Sequence, residues 1–195
     1  DHLLSSQFIF GNTNSLFGTL ELLGIEITLV DPTDAQAVAA AIRPNTKMLF
    51  TETIANPGTQ VADLVGLGQL CQKHKLVYVV DNTVTSPWLF RPKVVGASLV
   101  MNALSKHIGG HANALGGSLT DTGLFDWTAY SNILDIYKKG PSTGWAITQI
   151  KKKGLRDMGA TLAADAAHRI SVGAETLALR LNKICSNAMA LATFL

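Results

Sequence analysis

The sequence predicts an α/β domain with a mainly parallel sheet and helices on both faces. Strand-like and helix-like segments alternate from the N-terminus to Asp121, the pattern of successive crossover units. Leu76–Val80 is apolar without alternation, as a strand covered on both sides must be. Three polar segments, Thr53–Pro57, Asp81–Thr83 and Ser105–His107, each come just after a strand candidate, and open α/β sheets place ligands at the carboxyl ends of their strands.

In order along the chain, Leu3–Ser6 is the first strand candidate, and FGNTNSLF from Phe10 reads as a loop. Ile25–Val30 is β-rich and closes on Asp31-Pro32. Thr33 then starts a helix, with Gln36 as its capping-box partner and the Ala-rich stretch Asp34–Ile42 as its body. Lys47–Thr51 is the next strand, followed by the loop Ile54–Gly58. Leu64, Leu67 and Cys71 mark the sheet-facing side of a further helix. Ser98–Met101 and Leu115–Leu119 complete the strands. Beyond Asp121, Gly, Pro and aromatic residues predict irregular backbone as far as Gly144, and the remainder reads as helix. There Leu177, Leu181, Ile184, Ala188, Leu191 and Leu195 form one continuous apolar stripe.

Composition narrows the function. Hydrophobic residues make up 47% and charged residues 15% of the 195, an apolar balance that buried subunit interfaces would explain. A net charge of +2 does not argue for nucleic acid, and the basic cluster Lys151–Lys153 reads as a solvated helix face. No apolar run has the length of a membrane span. Cys71 and Cys185 lack ligand spacing, so no metal is expected; both read as reduced core thiols of a cytoplasmic protein. His107 and His111 flank glycines with no third ligand. The glycines do not form a dinucleotide fingerprint, and Trp88, Trp127 and Trp145 read as core or interface residues.

A lysine acts as an amine nucleophile when its neutral form is accessible through desolvation or nearby cations. Lys106 follows the apolar Leu99-Val100-Met101 and has the glycines Gly109, Gly110, Gly116 and Gly117 after it, so a ligand can approach the backbone closely. Asp81 emerges from the apolar strand, where a carboxylate needs a cation or hydrogen bonds. A protonated pyridine nitrogen would serve, and pyridoxal phosphate (PLP) enzymes pair such an acid with a Schiff-base lysine. A lone Lys or Asp after a strand is more often a surface or turn residue, and spacing alone leaves PLP as one candidate among several.

The run VVDNTVTSPWLFRPKVVGASLVMNALSKHIGGHANALGG, from Val79 to Gly117, closely resembles the signature region of the Cys/Met-metabolism, or transsulfuration, PLP enzymes. The resemblance continues through IEITLVD, AAIRPNTKMLFTETIANP and HKLVYVVDNT upstream, and KKGLRDMGATL and GAETLALRLNKICSNAMALATFL downstream, and so covers essentially the whole chain. It implies the large domain of the aminotransferase-like fold (fold type I), with residues 1–172 as a partial PLP-binding domain. Residues 173–195 would be a long helix leading to a C-terminal domain outside this chain. A start at Asp1 and a helix that stops in mid-pattern both read as cuts in a longer polypeptide.

The resemblance also implies site roles. Lys106 would form the Schiff base and later move protons on the substrate, and Asp81, with Thr83 beside it, would pair with the pyridine nitrogen. Asn56 would approach the cofactor's phenolic oxygen, Ser105 would donate to its phosphate, and Phe10 would stack on its ring. Two departures matter. Family members usually carry Tyr where Phe10 stands, and a phenyl ring cannot transfer a proton. They usually carry Ser where Ala103 stands; each lost bond to a charged group removes roughly 1.5–3 kcal/mol. The implied activity is γ-elimination or γ-replacement on homoserine esters or sulfur amino acids. Homoserine sulfhydrylase or cystathionine γ-synthase is preferred, because FGNTNSLF has Asn12 where γ-lyases usually carry Cys. A cystathionine or methionine γ-lyase is the alternative, and a catalytically incomplete fragment with an assembly role the second. The implied partners are a small amino-acid substrate and further copies of the chain, as a homotetramer built from dimers.

Overall fold

The computed structural model describes residues 1–195. In chain order the elements are β1 (His2–Ser6), α1 (Gly11–Leu22), β2 (Glu26–Val30), α2 (Ala35–Ala40), β3 (Thr46–Glu52), α3 (Leu64–His74), β4 (Val77–Asp81), α4 (Ser86–Leu89), β5 (Leu99–Ala103) and β6 (Gly117–Asp121). Short 3-10 turns follow, then α5 (Trp145–Gln149), which runs into a wider i→i+5 segment at Ile150–Asp157, and finally α6 (Ala164–Ala174) and α7 (Leu177–Phe194). The sheet order is β2-β1-β3-β4-β5-β6. β1 to β5 pair in parallel and β6 joins antiparallel at the edge. The fold is the mostly parallel α/β sheet that the sequence predicts.

Strand alternation sorts the core into two layers. Leu4, Leu49, Tyr78, Val80 and Val100 pack with Val38 of α2 and with Leu67 and Cys71 of α3. Leu3, Phe50, Val77, Val79 and Leu99 face the other way, against Phe17 of α1, Trp127, Ile133 and Ala146 of α5. Each fully buried Leu or Val contributes roughly 1.5–3 kcal/mol. The helix after β1 therefore lies on one face, and the helix reached after β3 lies on the other. Their loops diverge between β1 and β3, which are neighbours in the sheet. This is a topological switch point, where a crevice opens at the carboxyl ends of the strands.

Several expectations are corrected. FGNTNSLF is not a loop: residues 11–17 are the first turns of α1, whose only buried residue is Phe17. Asp34, not Thr33, caps α2, and its carboxylate accepts the Gln36 and Ala37 amides. Thr33 sits in a turn held by Asp31 Oδ1. The last strand is Gly117–Asp121 rather than Leu115–Leu119, with Leu115 exposed before it. Cys71 is buried but Cys185 is exposed on α7. Of the terminal stripe only Leu181 is buried, while Ile184, Leu191 and Leu195 face outward. No helix is long and apolar enough to cross a membrane.

Candidate active site

β3 and β4 end side by side, with Glu52 and Asp81 as register partners and Met101 of β5 beyond Asp81. By strand parity Glu52 follows Met48 and Phe50, and Asp81 follows Val77 and Val79, so both carboxylates belong to the α1 face. Both residues are buried. Burial is the main cause that lifts the Asp81 carboxyl above its ordinary range, against hydrogen bonds from Thr83 that favour the ionised form. Burial also leads at Glu52, where the Phe10 amide opposes it, the Asp81 charge adds to it and the Asn56 backbone opposes it.

Thr83 joins two strands. Its hydroxyl donates to Asp81 Oδ1 at 2.5 Å and its amide donates to the same oxygen at 2.9 Å. The hydroxyl oxygen in turn accepts the Ala103 amide of β5 at 2.7 Å. Asp81 Oδ2 takes no part in these bonds, and no Lys or Arg forms an ion pair with the group. A buried carboxylate in that condition is stabilised by an N–H donor of cationic character, so this donor set fits a protonated pyridine ring.

Phe10 is the residue at which β1's loop enters α1. Its amide donates to Glu52 Oε1 at 2.7 Å, a bond across the switch point. Its ring, partly exposed, lies with its centroid 5.9 Å from Lys106 Nζ. Lys106 itself is exposed. Desolvation by the preceding apolar strand is therefore not observed, because β5 ends at Ala103 and a tight turn carries the lysine off the sheet. That turn is closed by Lys106 N–H to Ala103 O, Gly109 N–H to Leu104 O and Gly110 N–H to Lys106 O.

Ser105 Oγ accepts the Gly116 amide at 3.1 Å and lies 3.4 Å from the Gly116 carbonyl. Its one proton is thus only loosely committed and can be redirected to an incoming anion. Asn56 is exposed on the loop after β3. His111 Nδ1 lies 2.8 Å from the Gly109 carbonyl. Phe10, Asp81, Thr83 and Lys106 are thus brought to one end of the sheet, whereas Asn56 makes no side-chain bond to any of them. Sequence reasoning passed over Glu52. The signal was present, since Glu52 leaves an apolar strand just as Asp81 does.

The profile of the Cys/Met metabolism PLP-dependent enzymes matches residues 1–195. The chain belongs to this family. Its cofactor is accordingly pyridoxal phosphate. Among curated Cys/Met metabolism enzymes, it is 35% identical to an O-acetyl-L-homoserine sulfhydrylase of Corynebacterium glutamicum, with all of this chain and 48% of that protein aligned. It is 36% identical to a canavanine γ-lyase of Pseudomonas canavaninivorans, covering 100% of this chain and 44% of the relative. A solved O-acetylhomoserine sulfhydrylase from Wolinella succinogenes superimposes with a TM-score of 0.92 at 35% identity, over 100% of this chain and 56% of that one. The chain spans about half the length of the curated relatives it matches.

Proposed function

We propose that this chain is the cofactor-bearing part of an enzyme that performs γ-elimination or γ-replacement on a homoserine ester or a sulfur amino acid. An O-acetylhomoserine sulfhydrylase or a cystathionine γ-synthase is the preferred form. The observation that carries the reading is convergence: Lys106 Nζ stands over the Phe10 ring, and Phe10 is tied through Glu52 to the strand beside Asp81.

Lys106 would hold PLP through its amine, Asp81 through the pyridine nitrogen, Ser105 through the phosphate and Asn56 through the phenolic oxygen, with Phe10 against the ring. Bound PLP supplies an electron sink for negative charge at the substrate's α-carbon. The Lys106 amine, once free, takes and returns protons at that carbon and its neighbours. Thr83 keeps the Asp81 carboxylate fixed in direction through two donors on one oxygen. Phe10 supplies a flat surface and no proton, so proton transfer near the leaving group falls to Lys106 or to a bound sulfur nucleophile.

The deciding experiment uses the full-length protein with O-acetylhomoserine and sulfide. Homocysteine as product supports replacement, while 2-oxobutanoate and ammonia from methionine or cystathionine without sulfide support the γ-lyase alternative, which the canavanine γ-lyase relative also favours. Neither product from a protein that has bound PLP would leave the assembly reading, for which Phe10 and Ala103 speak.

A further inference from the structure

We infer that Arg180 is the positioning residue for the cofactor lysine: its guanidinium fastens the backbone just after Lys106 to the junction of α6 and α7. The inference rests on the reading of Lys106 given above. Arg180 Nη1 donates to the His107 carbonyl at 2.6 Å, and Nη2 donates to the Ile108 carbonyl at 3.2 Å and the Gly173 carbonyl at 2.8 Å. Nε donates to Thr176 Oγ1 at 3.0 Å. No other donor reaches the carbonyls of His107 or Ile108.

The surrounding glycines make room for this arrangement. A Cβ on Gly110, which sits at φ +73, would meet the Arg180 guanidinium carbon at 2.4 Å. A Cβ on Gly173 would meet the Gly109 carbonyl oxygen at 1.9 Å. The turn that carries Lys106 therefore lies directly against the last turn of α6, with a cation at that helix's carboxyl end, where its dipole favours one. Planarity is essential to the fit. A guanidinium presents donors in a fixed fork to three carbonyls at once, and a lysine ammonium is a point charge that does not span them. Since the sheet ends at Ala103, the clamp adds to the turn's own backbone bonds and to the Leu104–Gly116 bond in holding it. Lys106 and Arg180 also line one concavity together with Lys183 and Asn187.

The test uses the full-length protein with Arg180→Ala and Arg180→Lys. The readouts are amide hydrogen exchange across residues 106–110, the rate at which PLP becomes borohydride-fixable at Lys106, and kcat against KM. In R180A, exchange at 106–110 should accelerate by about tenfold or more, the scale of a lost hydrogen bond to a charged group, with β4 amides unchanged. PLP linkage should slow and kcat fall with KM little altered. R180K should resemble R180A, and millimolar methylguanidine should restore R180A in part. If R180A does not fold, R180K carries the same comparison. Wild-type exchange and wild-type linkage rate in the folded variants would overturn the proposal. The Lys106 reading fails separately, and visibly in the unsubstituted protein, if its PLP adduct maps to another lysine.

Discussion

Glu52 and Asp81 are register partners at the ends of β3 and β4, and the charge on Asp81 is one of the forces that keep the Glu52 proton on. Both groups bind protons more tightly in the folded chain than in an unfolded one. The folded state then holds more protons as pH passes through the window above the ordinary carboxylate range, so stability falls as pH rises there. Without PLP, the urea midpoint should decline across that window, and Glu52→Gln should flatten the decline. An unchanged slope in E52Q would remove Glu52 as its source.

Asp81→Asn keeps the Thr83 contact possible and removes the carboxylate charge. In the full-length enzyme kcat should drop by roughly ten- to a hundredfold, the equivalent of one hydrogen bond to a charged group. PLP should still attach at Lys106. Full turnover in D81N would contradict the pairing of this residue with the pyridine nitrogen.

Lys106 is exposed, with its Nζ over the Phe10 ring. Lys106→Ala should therefore abolish the visible absorption of covalently bound PLP while leaving the urea midpoint of the PLP-free protein unchanged. A lower midpoint in the PLP-free variant than in the PLP-free parent would mean that the lysine supports the fold.

Phe10→Tyr adds a hydroxyl to a residue that is 42% exposed, so no new polar atom is forced into the core. If proton transfer limits elimination, the substitution should raise kcat, with about a hundredfold as the lower range of general acid–base catalysis. An unaltered kcat would show that Lys106 or the substrate already supplies that proton.

The two cysteines should differ in reactivity. Burial pushes the Cys71 thiol up to about 12, whereas Cys185 stands exposed on α7. Alkylation at mildly alkaline pH, read by peptide mapping, should modify Cys185 and spare Cys71, because only the thiolate attacks. Equal labelling would mean that α3 opens readily from the sheet.

The strands were legible because β-branched and apolar runs such as Leu76–Val80 have few other ways to be buried. α1 was not, since Gly11, Asn12, Thr13 and Asn14 are weak helix formers and Phe17 alone is buried. The family resemblance pointed to Asp81, Thr83, Asn56, Ser105, Phe10 and Lys106; Phe10, Asp81, Thr83 and Lys106 lie toward one end of the sheet, while Asn56 bonds to none of them. The exposure of Lys106 was hidden, because the apolarity of a strand says nothing of a side chain in the turn beyond it. Glu52 and Arg180 were missed for a common reason: their partners, Phe10 and the His107–Ile108 carbonyls, are remote in sequence, and such contacts leave no local pattern.

The groups that face the crevice come from the ends of β1, β3, β4 and β5. A molecule that touches all four can be gripped only after every one of those strands has found its register, so it has little affinity for the unfolded chain. Each tenfold excess of free cofactor over its dissociation constant then adds about 1.4 kcal/mol to apparent stability. Cofactor supply should therefore bear on how long the polypeptide survives as well as on its chemistry. A shortage should leave more chains in the opened form that proteases remove, and the protein's abundance should follow the cofactor before any change in its synthesis.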